Sequence, residues 1–147
     1  MKVQEFKTGK VLVGRIELGE DLYQSIEEYC IKNNIRQAWV NGLGAVTHLA
    51  YFYYDQLEKK YIQAHVDERL EILSCIGNIS LKDGKPFPHL HIVCSDRKGG
   101  TVGGHLTPGT KVFACEVIFF VLEGASGLNR AFDSQTGLNL WQCGLGQ

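Results

Sequence analysis

Apolar and polar residues alternate along most of this chain, and that two-residue period predicts strands. "KVLVGRIEL" (10–18), "KYIQAHV" (60–66) and "RLEILSCIGNISL" (69–81) follow it. "FPHLHIVCS" (87–95) and "KVFACEVIFFVLEG" (111–124) add the β-branched and aromatic residues that strands favour. "IRQAWVNGLGAVTHLAYFYY" (35–54) reads as two strand-like runs flanking or including Gly42 and Gly44. Only "GEDLYQSIEEYCIKNN" (19–34) shows a clear helical period, with Leu22, Ile26, Tyr29 and Cys30 on one face. Its acidic residues are expected in the first turn, where they suit the helix dipole, and Asn33-Asn34 can end it. One helix among about seven strands, joined by connections too short for helical crossovers, predicts an α+β fold. The expected architecture is a largely antiparallel (mixed) sheet with one main helix packed on it. No repeat, low-complexity tract or linker appears, so residues 1–147 are expected to form a single domain.

Composition narrows the function classes. The chain has 147 residues, 44% hydrophobic and 21% charged, which suits a folded domain with a sizeable core. Its formal net charge of −1 gives no general field for nucleic acid or anionic membrane. The N-terminus lacks the apolar stretch of a signal peptide, and no run approaches the roughly 18 apolar residues of a membrane span. A cytoplasmic location without membrane contact is therefore expected. The five cysteines (Cys30, Cys75, Cys94, Cys115, Cys143) form no Cys-x-x-Cys pair and read as free thiols in the core. "GHLTPGTK" (104–111) starts like a phosphate-binding loop but ends Thr-Lys, and "NGLGAV" (41–46) has only two glycines of a dinucleotide fingerprint.

"PHLHIVCSDRKGGTVGGHLTPG" (88–109) carries the candidate chemistry. On a strand, His89 and His91 share a face. Two imidazoles so placed can ligate zinc or another divalent transition metal, although such a pair also occurs as surface decoration. His105 follows fourteen residues after His91, beyond glycines 99, 100, 103 and 104 that suit a tight return of the chain. Three histidines without a fourth protein ligand leave an open coordination position, as in metal-dependent hydrolases and lyases. Cys94 lies an odd number of residues from both His89 and His91 and is expected to face away. Glu116, inside the apolar run "FACEVIFF", is a candidate general base or outer partner of a ligand; an ion-paired edge or interface residue is the alternative. His48 and His65 stand apart and are not expected to ligate.

Taken together, "GEDLYQSIEEYCIKNNIRQAWVNGLGAV", "RLEILSCIGNIS", "PHLHIVCSDRKGGTVGGHLTPGT" and "CEVIFFVLEG" resemble the plants-and-prokaryotes-conserved (PPC) domain. The resemblance runs over about residues 5–135, leaving a short C-terminal tail, and fits the stand-alone prokaryotic type. It implies the PPC-like fold, assembly as a homotrimer, and metal ligation at His89, His91 and His105 through the His-x-His and Gly-Gly-His motifs. It also implies DNA binding as an alternative function, because a related domain follows the AT-hook of plant nuclear proteins. The Arg-Gly-Arg-Pro core of that hook is absent from this chain.

Overall fold

The computed structural model of the chain describes residues 1, 3–124 and 127–142. Its elements are β1 (Lys7–Ile16), α1 (Leu22–Lys32), β2 (Ala38–Asp55), β3 (Lys60–Val66), β4 (Leu70–Lys82), β5 (Lys85–Ser95), β6 (Thr101–Leu106), β7 (Lys111–Glu123), β8 (Arg130–Asp133) and β9 (Leu138–Trp141). Strands β1–β7 form a seven-stranded sheet whose pairings are all antiparallel. β8 and β9 make a separate two-stranded hairpin. The expected sheet with one helix is what the chain adopts. The hairpin reaches Trp141, beyond the stretch that the resemblance covers.

Where two runs were expected around Gly42 and Gly44, the chain forms one strand of 18 residues. Its register shifts, between Gly42 and Gly44 and again near Val46–His48, let it bend without ending. Gly44 has φ +144°, and a side chain there would run into the Ala114 carbonyl of β7. The length of β2 gives each of its edges two partners in succession. β4 and then β3 follow one edge; β7 and then β6 follow the other. Because β4 pairs with β5 and β5 with β6, the pairing of β6 with β2 closes a ring of four strands.

α1 starts one turn later than the sequence period suggested, and its first turn holds no acidic residue. Asp21 is its N-cap instead, accepting from the Gln24 N–H at 3.1 Å. The same buried carboxylate accepts from the Gly109 N–H at 2.6 Å and lies 3.8 Å from the Lys111 ammonium. Leu22 N–H donates to the Thr110 carbonyl, and the Thr110 hydroxyl bonds the backbone of Ala50 on β2. Asp21 and Thr110 thus tie the helix start, the β6–β7 turn and β2 together, just beyond His105.

Leu22, Tyr23, Ile26 and Cys30 of α1 join the main core with Val40, Leu90, Ile92 and Phe119. Cys30, Cys75, Cys94 and Cys115 are all free and buried in it. Burial pushes the thiols of Cys30 and Cys75 up to about 12 and those of Cys94 and Cys115 up to about 11, so all four stay protonated at neutral pH. Cys143 lies outside the described residues. Among those described, no helix is long and apolar enough to cross a membrane.

Replacing Asp21 with Ala removes the cap and the anchor of the β6–β7 turn. Urea unfolding is expected to show a loss of roughly 1–2 kcal/mol, the usual cost of a lost cap; an unchanged midpoint would contradict the role given to Asp21.

Candidate metal centre

Strand alternation sorts the side chains of β5. Leu90, Ile92 and Cys94 point into the core, while His89 and His91 share the opposite face. β6 then pairs with β5 so that His105 lies directly across from His91. The glycines before it divide the work. Gly99 (φ +85°) turns the chain, whereas Gly103 and Gly104 lie inside β6, within the stretch expected to be loop. A Cβ on Gly104 would come within 2.6 Å of the Phe52 carbonyl oxygen. Only a residue without a side chain lets β6 approach β2 there and set His105 beside Phe52.

The three imidazoles converge. Ring centroids are 4.9 Å apart for His89–His105, 5.4 Å for His89–His91 and 5.6 Å for His91–His105. One nitrogen from each ring lies within 4.8 Å of the others. Nitrogen ligands on a tetrahedral zinc sit about 3.3 Å apart, so small ring rotations suffice to gather these three around one ion. His89 and His105 are half-buried; His91 is exposed. Burial, the neighbouring imidazoles and the guanidinium of Arg130 push His89 and His105 down to about 4. Both rings are therefore neutral at pH 7 and keep a lone pair for a cation. The donor set, three imidazole nitrogens and no thiolate, fits zinc or a similar divalent metal.

Arg130 of β8 lies against this cluster. Its guanidinium donates to Ser80 Oγ at 2.6 Å, the Asn139 carbonyl at 2.9 Å, Asn78 Oδ1 at 3.1 Å and His89 Nδ1 at 3.1 Å. A guanidinium can only donate, so Nδ1 of His89 accepts and its proton sits on Nε2. A metal on His89 competes with that arrangement: at Nδ1 it takes the place of Arg130, and at Nε2 it displaces the proton, which on moving to Nδ1 also ends the bond from Arg130. On the other side, Phe52 and Tyr61 stack near His105, at 6.5 and 5.6 Å between centroids. A cavity of about 260 Å³ opens beside His89 and His105, between these aromatics and the β8–β9 hairpin.

Other candidate residues fall elsewhere. Glu116 does not join the cluster. It is exposed on β7, in register with Arg15 of β1 and Leu43 of β2, and borders a separate groove with Asn41 and Ser74. His48 and His65 stack on each other at 5.9 Å, and His48 contacts Asp67. Sequence reasoning did not reach Arg130, Phe87, Trp141, Lys82 or Tyr61. No motif marks them, since only the fold brings the last strands back over β4 and β5.

The fold has counterparts among known proteins. A metal-containing protein from Archaeoglobus fulgidus, AF0104, superposes with a TM-score of 0.90 at 45% identity, over 96% of this chain and 99% of that one. A plant- and prokaryote-conserved (PPC) protein from Pyrococcus horikoshii superposes with a TM-score of 0.89 at 33% identity, over 97% of each chain. The bifunctional protein GlmU of Synechococcus sp. (strain JA-3-3Ab) is 30% identical over 137 residues, 91% of this chain but 21% of that protein. The chain thus spans about a fifth of the length of the curated relatives it matches. The profile of the Plants and Prokaryotes Conserved (PCC) domain matches residues 3–123, and with these likenesses it establishes that the chain belongs to that family.

Proposed function

We propose that His89, His91 and His105 hold one divalent transition-metal ion, zinc foremost, and that the cavity beside them receives a small substrate. The convergence of three imidazole nitrogens within 4.8 Å carries this reading. The metal-containing protein from Archaeoglobus fulgidus, at 45% identity, supports it. Bound there, the metal would supply Lewis acidity at a coordination position left open by the protein, the arrangement that hydrolytic and lyase chemistry uses. The chain's own groups do the rest. Arg130 holds His89 through Nδ1 until a metal displaces it, Phe52 and Tyr61 flank His105 and narrow the access of water, and exposed His91 faces the solvent side.

The same reading includes self-association as a homotrimer. The sheet face away from α1 presents Val13, Leu43, Leu73 and Ile76, which are exposed and border one groove with Glu116. An apolar patch of this kind suits a subunit interface. There Glu116 would face a cation across the interface rather than a substrate.

Two measurements test the site and one the assembly. Protein purified without an affinity tag is expected to carry one metal equivalent per chain by plasma mass spectrometry. His89→Ala and His105→Ala should each weaken metal binding by at least the roughly 10–100-fold seen when an outer partner is lost. The double variant His48→Ala/His65→Ala should keep wild-type metal content. Equal metal in His105→Ala and wild type would contradict the site.

Stability of the metal-free protein should also depend on pH in a defined window. Between the ordinary histidine value near 6.5 and about 4, the unfolded chain binds protons at positions 89 and 105 that the folded chain does not. The contribution is therefore full above pH 6.5 and is lost as pH falls towards 4. A urea midpoint that drops through this window, and drops less in His89→Gln/His105→Gln, is expected; equal slopes would contradict it. Light scattering should give about three times the 16.4 kDa of one chain, and a monomer would overturn the assembly.

A further inference from the structure

The cavity beside the histidines is built around two cations that no carboxylate among the described residues neutralises. Lys82 Nζ lies 5.4 Å from the centre of the Phe87 ring, and Arg130 Cζ lies 5.7 Å from the same ring. Arg130 is also 5.5 Å from the Trp141 ring, so its guanidinium is held near two aromatic rings. It is half-buried, yet its four acceptors are a hydroxyl, a carbonyl, an amide oxygen and an imidazole nitrogen, all neutral. Those contacts use one hydrogen on Nε, one on Nη1 and both on Nη2, leaving one Nη1 hydrogen. Among the described residues, neither Lys82 nor Arg130 forms an ion pair, and no Asp or Glu lines the cavity.

A half-buried cation is costly unless a negative charge meets it, and folded proteins usually supply a carboxylate. Among the described residues, the counter-charge is missing where this cavity adjoins His89 and His105. The comparable groove between α1 and β1 differs: its Arg15 is paired with Glu17 at 2.7 Å. The other walls of the histidine-side cavity are mostly apolar or aromatic, with Phe52, Phe87, Leu138 and Leu140 among them, and Thr107 and Asn139 add neutral polar groups. At about 260 Å³ it lies below the usual range of drug-sized sites, which restricts it to a small molecule.

We infer that this cavity binds a small organic anion, a carboxylate or phosphate ester, with its anionic oxygens between Lys82 and Arg130 and its apolar body against the aromatic wall. The inference deepens the metal reading, and rests on it only for the further step that the other end of the ligand reaches the histidines. Arg130 then has two states. With the cavity empty it donates to His89. With an anion bound, the guanidinium gains a charged acceptor that competes with His89 Nδ1 for its hydrogens.

Calorimetric titration of benzoate, phenyl phosphate and neutral benzamide into the full chain, as purified and after chelation of metal, tests this. Metal-free wild type is expected to bind at least one of the two anions at least tenfold more tightly than benzamide. Lys82→Gln should weaken that anion about five- to tenfold and leave benzamide unchanged. Lys82 is the chosen site because Arg130 also joins β8 to β4 and its loss can disturb folding. Arg130→Lys, checked for an unchanged circular dichroism spectrum, should weaken the anion as well. Benzamide binding as tightly as both anions, or Lys82→Gln binding them like wild type, overturns the inference. Selective anion binding by metal-free protein upholds the cavity even if His105→Ala retains full metal, so the two readings fail separately.

Discussion

The antiparallel pairing that sets His105 of β6 across from His91 of β5 is the interaction on which the site depends. His89 and His91 are neighbours on any regular strand, but the third ring is fourteen residues away and must be returned by the fold. Two constraints return it. β6 has to reach β2 as well as β5, which Gly104 allows by carrying no side chain. The turn that follows has to stay closed, which Asp21 and Thr110 achieve from the helix start and from β2. A strand of 18 residues, bent at its register shifts, is what lets β2 serve both β4 and β6. The local chemistry of three histidines thus rests on a closure of the sheet that involves most of the chain.

The electrostatics of the cluster follow from what surrounds it. The half-buried imidazoles of His89 and His105, close to each other and to Arg130, do not readily take up protons, so these two stay neutral donors. Arg130 is itself drawn below its ordinary value by burial, and it has only neutral acceptors. Such a region is short of negative charge. It favours whatever brings that charge in, and it holds lone pairs for whatever cation can displace the guanidinium from His89. The two demands meet in one place, which is why the metal and the anion readings support each other without being the same claim.

Much of this was legible from residue pattern. Period-two alternation placed the main strands, put His89 and His91 on one face and turned Cys94 into the core. The helix was legible from Leu22, Ile26 and Cys30, but Asp21 was misplaced, because a cap and a first-turn residue differ by one position and only the backbone decides between them. The break expected near Gly42 and Gly44 was instead a bulge. Glycine marks both, and the partner strand chooses. Gly103 and Gly104 suit a returning loop for the same reason, although in the fold they serve a close strand approach. Arg130, Lys82 and Phe87 were not legible at all. Their role arises from the hairpin β8–β9 folding back on β4 and β5, a contact of high sequence separation that no local pattern announces.

The most direct measurement of the central claim is X-ray absorption at the zinc edge, on tag-free protein carrying one equivalent of zinc. Three-histidine ligation predicts nitrogen or oxygen neighbours at about 2.0–2.1 Å, with the outer-shell scattering of three imidazoles and no sulfur. A sulfur shell near 2.3 Å, or fewer than three imidazoles, would contradict it.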